Sequence, residues 1–255
     1  MEKKLDINEK GCSIRCRLIT GNKAAREFPR VVICTHGFGG SKDKPSTTKF
    51  AEKFTAKYKN DAVLCIDWPC HGEDGRKKLE LADCDEYLGI VTDYAKRVLG
   101  AKDVFNYSVS FGAGVTMRYI VKHGNPFKRI ALRSASIKMY DAMLINLDEE
   151  RLEKLRKGKE VLVGFDRKMK IDRKLLDELK AFDDAHHEYF DYADQMLLIH
   201  GTEDAWIPVD MVRKFAEDNV IEFLPVEGAD HPFRDPKLMD LAIHAIIEFF
   251  APDAE

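Results

Sequence analysis

Short apolar runs separated by amphipathic stretches recur along this chain. Val31-Val32-Ile33-Cys34-Thr35 and Ala62-Val63-Leu64-Cys65-Ile66 are apolar without alternation, and residues 104–107, 130–132 and 196–199 repeat the pattern more briefly. Runs that are apolar on both faces predict strands of a parallel sheet covered on each side by helices. A sixth run, 221–226, contains Pro225, which predicts an edge position or a bulge. Between the runs lie helical patterns. Residues 85–99 place Tyr87, Leu88, Val91, Tyr94, Ala95 and Val98 on one face, and 238–250 do the same with Leu238, Leu241, Ala242, Ala245 and Phe249. Strand–helix alternation of this kind predicts an α/β fold with a doubly wound, mostly parallel sheet. Residues 13–19 alternate in type and predict an antiparallel strand at the sheet edge.

One stretch breaks the alternation. Residues 137–192 contain no long apolar strand. Residues 149–157 and 173–182 predict charged helices, and 161–164 with 168–171 predict a small hairpin. The expected organisation is therefore a core of residues 1–136 and 193–255 with a helical and hairpin lid inserted at 137–192. The insert carries Arg151, Lys154, Arg156, Lys157 and Lys159. The favoured reading of these is a solvated surface, and attraction of acidic substrates is the alternative.

Charge narrows the function classes. The 255 residues hold 41 Lys plus Arg against 44 Asp plus Glu, a formal net charge of −3, so no global positive field is present for nucleic acid. No apolar run approaches the roughly 18–20 residues that span a bilayer, so no membrane partner is expected. The start, Met1-Glu2-Lys3-Lys4-Leu5-Asp6, lacks the apolar stretch of a signal peptide, and a cytoplasmic location is expected. Six cysteines fall in the first third of the chain, none in a C-x-x-C pair. They are read as free thiols, and no metal site is expected.

Asn106-Tyr107-Ser108-Val109-Ser110-Phe111-Gly112-Ala113-Gly114 stands between a strand-like run and a helical run, the context of a nucleophile elbow. The tight turn needs small residues two before and two after its centre. Ser110 meets that with Ser108 and Gly112, although the usual G-x-S-x-G here reads S-x-S-x-G. Ser108 is the rival nucleophile and is disfavoured by Asn106 and Ser110 at its own flanks. A serine needs a base and an oriented acid. His-Gly-Thr-Glu-Asp ends one strand at Asp204, and Glu-Gly-Ala-Asp-His follows another and ends at His231. The carboxyl ends of parallel strands share one rim, so Ser110, Asp204 and His231 can converge there. Glu203 and Asp230 are the alternative acids. The remaining histidines, 36, 71, 123, 186, 187, 200 and 244, are read mostly as polar surface.

An oxyanion needs donors, and the loop His36-Gly37-Phe38-Gly39-Gly40 after the first central strand nominates the amide of Phe38, with that of Phe111 following the nucleophile. The same loop fails as a phosphate motif. Gly40-Ser41-Lys42 reverses the Walker order, and a dinucleotide fingerprint would need Gly where Lys42 stands, so no cofactor is expected.

Together His36-Gly37-Phe38-Gly39-Gly40, Asp67-Trp68-Pro69-Cys70-His71-Gly72, Ser108-Val109-Ser110-Phe111-Gly112, Gly201-Thr202-Glu203-Asp204 and Asp230-His231 resemble the α/β-hydrolase superfamily over about residues 30–250. Within it the chain resembles small bacterial carboxylesterases of the cinnamoyl or feruloyl type. The resemblance implies Ser110 as nucleophile, His231 as base, Asp204 as its orienter, a small-molecule ester as substrate and no cofactor. Trp206, Met139, Tyr140 and Met143 are the expected walls of an apolar acyl pocket. A peptidase or thioesterase would use the same triad, and a ligand-binding protein could retain it without turnover. A serine at the elbow disfavours epoxide hydrolase or dehalogenase chemistry, which needs Asp there.

Overall fold

The computed structural model describes residues 1–22, 24–165 and 167–252. Eight strands form one sheet: β1 (Glu2–Glu9), β2 (Cys12–Thr20), β3 (Arg30–Thr35), β4 (Ala62–Ile66), β5 (Asp103–Val109), β6 (Arg129–Arg133), β9 (Met196–Gly201) and β10 (Glu222–Val226). Their order is β1-β2-β4-β3-β5-β6-β9-β10. From β4 through β10 every neighbouring pair is parallel, whereas β2 runs antiparallel to both β1 and β4. The apolar runs become the central strands because both faces are covered. Helices α1 (Pro45–Lys57) and α8 (Pro236–Phe249) pack on one face, and α2 (Leu81–Arg97), α3 (Phe111–His123) and α7 (Val209–Asn219) on the other. Among the described residues no helix is long and apolar enough to cross a membrane.

Several expectations need adjustment. The strand at 13–19 is second in the sheet, not at its edge; the edge is β1. Only Leu5 and Ile7 are apolar there, and Glu2, Lys3, Lys4, Asp6 and Glu9 hide the strand signal while charging an otherwise sticky edge. Pro225 does lie on the opposite edge strand, β10, where a missing N–H costs no ladder bond. Helix α2 begins four residues earlier than the periodicity indicated, and α8 begins at Pro236, where Asp235 caps it by accepting from the Lys237 amide at 2.7 Å. All six cysteines are free and buried.

Between β6 and β9 the chain forms α4 (Met139–Leu144), α5 (Glu149–Arg156), the hairpin β7 (Val161–Val163) and β8 (Met169–Ile171), α6 (Arg173–Asp184) and a 3-10 turn (Phe190–Gln195). The segment is bonded to the core. Lys170 exchanges backbone hydrogen bonds with residues 77 and 79, and Arg167 donates to the carbonyls of Gly72 (2.6 Å) and Arg76 (3.1 Å). Four of its cations in and beside α5 are paired locally: Arg151 with Asp148, Lys154 with Glu150, Arg156 with Glu149 and Lys157 with Glu153.

Candidate active site

Strand β5 passes into α3 through Ser110, whose φ of 51° and ψ of −116° are costly for a side chain with a Cβ, about 1–3 kcal/mol. The surrounding backbone holds the turn. The Ser110 amide donates to the Arg133 carbonyl (3.0 Å), and its carbonyl accepts from Gly114 (3.1 Å) and Ser136 (3.3 Å). The small residues have steric reasons. A Cβ on Gly112 would lie 2.4 Å from Thr35 Oγ1 and 2.7 Å from the His36 carbonyl, so only glycine lets α3 sit this close to β3. Ser108, which departs from the usual glycine, is fully buried. Its Oγ donates to Asn106 Oδ1 (2.6 Å) and accepts from Thr35 Oγ1 (2.8 Å), with Thr116 Oγ1 a third partner at 2.9 Å. The extra hydroxyl is thus absorbed into a buried polar knot beneath the turn.

Three side chains from three strand ends meet above it. His231 Nε2 lies 2.9 Å from Ser110 Oγ, and His231 Nδ1 lies 2.7 Å from Asp204 Oδ2. Asp204 Oδ1 accepts from the amides of Trp206 and Ile207, each at 2.9 Å. Its Oδ2 also has the buried His200 Nε2 at 3.1 Å, a nitrogen that sits 2.8 Å from the Ile207 carbonyl as well. Burial alone would raise the Asp204 pKa, but the bonds from His200, His231 and Ile207 outweigh it and hold the carboxyl well below the ordinary range. With Asp204 on Nδ1–H, the His231 Nε2 lone pair faces the Ser110 hydroxyl. The alternative acids point elsewhere: Asp230 pairs with Arg234 at 2.9 Å, and Glu203 is exposed.

The backbone before Phe38 passes against the same serine. A Cβ on Gly37 would be 3.1 Å from Ser110 Cβ and 3.6 Å from its Oγ. Phe111 opens α3, so its amide is one of the first-turn donors that no helical carbonyl can satisfy. The rings of Phe38 and Phe111 meet edge to face at 5.9 Å, and both pack on His71, at 5.6 and 6.0 Å. Beneath this loop lies a buried ion pair. Asp67 accepts from the Lys42 amide (2.7 Å), Lys42 Nζ (3.1 Å) and the Glu73 amide (2.9 Å). Burial disfavours the Lys42 charge, but Glu73, Asp67 and Asp43 outweigh it and raise the pKa.

Three of the histidines read as surface are core residues: His36, His71 and His200. His36 Nε2 accepts from the Trp68 amide at 3.2 Å, so Nδ1 carries the proton and donates to the Gly37 carbonyl at 2.8 Å. Burial pushes His36 well below its ordinary pKa and lowers His71 to about 4. An unfolded chain protonates both below about pH 6.5 while the folded one does not, so the unfolded state binds more protons and stability falls as pH drops through that window. His71 alone should contribute a loss of about 3 kcal/mol between pH 7 and pH 4, its folded value being about 4. Urea midpoints measured across this range should fall for the wild type and fall less for His71→Gln; parallel slopes would refute the assignment.

A cavity of about 580 Å³ opens over Ser110 and His231. Met139 and Met143, one turn apart on α4, line it, as does Trp206, which is 47 % exposed at the mouth with its ring 4.6 Å from that of His231. Tyr140 does not line it, contrary to expectation. One residue past Met139 on the helix, it is turned about 100° away, and its ring lies 5.8 Å from Lys180 Nζ. Phe165, which the sequence reading missed, fills part of the wall from the β7–β8 turn. A Cβ on Gly39 would stand 2.5 Å from its ring, so glycine at that position makes room for it.

No protein-family model matches the chain, and no curated protein matches its sequence. Solved structures do match. Est1E from Butyrivibrio proteoclasticus with ferulic acid bound is 19% identical, covers 96% of this chain and 97% of its own, and superposes with a TM-score of 0.75. An esterase from Pyrococcus furiosus is 18% identical, with 98% and 91% covered and a TM-score of 0.67. A serine hydrolase of the α/β type without a lid, from Xanthomonas campestris, is 13% identical, with 100% and 97% covered and a TM-score of 0.66. The chain has the α/β-hydrolase fold.

Proposed function

We propose that the protein hydrolyses carboxylic esters through an acyl-enzyme on Ser110. Ser110 Oγ attacks the ester carbonyl carbon as its proton passes to His231 Nε2, while Asp204 keeps the imidazole oriented and stabilises its charge. The carbonyl electron pair moves onto oxygen, which accepts hydrogen bonds from the Phe38 and Phe111 amides. Collapse of that intermediate breaks the carbon–alkoxy bond, and the leaving alcohol takes the proton from His231. A water then gives its proton to His231 and attacks the acyl group; the acid departs and Ser110 recovers its proton.

The observation that carries this reading is the continuous chain Ser110 Oγ, His231 and Asp204 at 2.9 and 2.7 Å, set on a strained strand–helix turn. Residues 137–192 act in it as the lid, since Met139, Met143 and Phe165 from that segment wall the cavity. Small acyl groups and aromatic acids are the favoured substrates, a preference supported by the apolar wall and by the ferulic acid held in Est1E. The test is labelling with a fluorophosphonate followed by peptide mapping. The expected adduct is on Ser110 and is absent in His231→Ala; no adduct, or one on Ser108, would sink the mechanism.

A further inference from the structure

The cavity has a charged end that ester hydrolysis by Ser110 does not use. Arg133, the last residue of β6, lines the cavity yet is only 2 % exposed. Its Nε donates to the Tyr107 hydroxyl at 3.1 Å, and its guanidinium lies 4.9 Å over the Phe233 ring. Its Nη1 is enclosed and donates to nothing, and no described carboxylate forms an ion pair with it. An uncompensated buried cation is expensive. Guanidinium geometry suits a planar carboxylate.

The surroundings have the same sign. Among the described residues lining the cavity none is Asp or Glu, while Lys44, Lys49 and Arg234 join Arg133. Lys49 shares the single carboxylate of Asp240 with Lys53, and Arg234 pairs with Asp230, whereas Lys44 and Arg133 form no ion pair with a described carboxylate. Lys44 is also the N-cap of the thirteen-residue α1, with no capping side chain, Pro45 next and no acid in the first turn. Helices normally place Ser, Thr, Asp or Asn at that position. Ser46 and Thr47 of the first turn both line the cavity, and no first-turn acid opposes the positive end of the helix dipole there. Arg133 itself is tied to the reacting group, because its carbonyl accepts from the Ser110 amide at 3.0 Å.

We propose that Arg133, with Lys44 and the α1 N-terminus, binds a free carboxylate carried by the ester substrate. The natural substrates are then esters with an anionic group a few bonds from the scissile carbonyl, on either the acyl or the alcohol side. Arg151, Lys154, Arg156 and Lys157 of the insert are each paired with a neighbouring carboxylate and do not line this cavity, so they play no part in this recognition.

Only the kinetic arm of the test rests on the proposed ester hydrolysis. Monoethyl glutarate is compared with ethyl pentanoate for a carboxylate on the acyl side, and carboxymethyl butyrate with ethyl butyrate for one on the alcohol side, by pH-stat. In at least one pair kcat/KM should favour the charged ester by about tenfold or more, and the side that shows it locates the carboxylate. Arg133→Gln should reduce that ratio by about tenfold, and Arg133→Lys should restore part of it. Ratios near one for the wild type in both pairs, or a preference that survives Arg133→Gln, would overturn the proposal. Should Arg133→Gln fail to fold, the wild-type ratios decide. The second arm needs no turnover: calorimetry of monoethyl glutarate and carboxymethyl butyrate on Ser110→Ala should show binding of at least one, weakened by about 0.5 M NaCl. Binding without hydrolysis of any ester would retire the enzymatic reading and keep the anion site. Hydrolysis of neutral esters with no charge preference would do the reverse.

Discussion

Ser110→Ala should lower kcat for a short-chain chromogenic ester by about 10⁵-fold while leaving the melting temperature within about 2 °C of wild type. The two halves have separate physical grounds. Loss of activity follows from removing the atom that forms the acyl bond; what remains is the donor pair and substrate binding, which in such sites retain only a residual acceleration. Retention of stability follows from what Oγ touches. It bonds His231 at 2.9 Å and approaches Ser136 Oγ at 3.5 Å, both at the cavity, so no deeply buried partner is stranded. The backbone strain at φ 51° is the same for alanine, which keeps the Cβ. Purified variant and wild type, titrated for active sites and compared by initial rates and thermal melts, give the measurement. A variant within about a hundredfold of wild type would remove Ser110 from the chemistry.

Legibility in the sequence followed burial. Strands β3 and β4 were readable because both faces are apolar, and β1 was hidden because five of its eight residues are charged. Position in the sheet was beyond local pattern, since β2 owes its interior place to pairing with β4 some fifty residues away. The three side chains over the turn were legible from order and from strand ends. The polar knot around Ser108 was not, because Thr35 and Thr116 arrive from β3 and α3, and in one dimension the serine registers only as a misfit in the elbow. The same limit explains the histidines. Residue type assigned His36, His71 and His200 to the surface, whereas tertiary packing buries each beneath the loops that carry the site. Tyr140 failed for a simpler reason, helical phase, which Met139 and Met143 satisfy and their neighbour does not.

Asp204→Asn should cost about 10⁴-fold in kcat at neutral pH, with the fold retained. The size of the effect comes from which partners can change. Asparagine replaces one carboxylate oxygen with NH₂ and must choose an orientation. If NH₂ takes the Oδ1 place, it faces the amides of Trp206 and Ile207, two fixed donors that cannot become acceptors. If it takes the Oδ2 place, it faces His231 Nδ1 and His200 Nε2. Imidazole can change tautomer and backbone cannot, and His200 can keep its proton on the Ile207 carbonyl at 2.8 Å. The second orientation therefore wins, Nδ1 of His231 becomes the acceptor, and its proton moves to Nε2. A protonated Nε2 cannot take the Ser110 proton, so the base is disabled by its own partner while every heavy atom stays in place. Stability gives an independent sign. The Asp204 carboxyl is held below its unfolded value, so its contribution is present above about pH 4 and lost as pH falls further; Asn removes that dependence and should flatten the acid limb there. Rates of Asp204→Asn within about tenfold of wild type, at a pH where both are folded, would show that His231 takes its orientation from some other group.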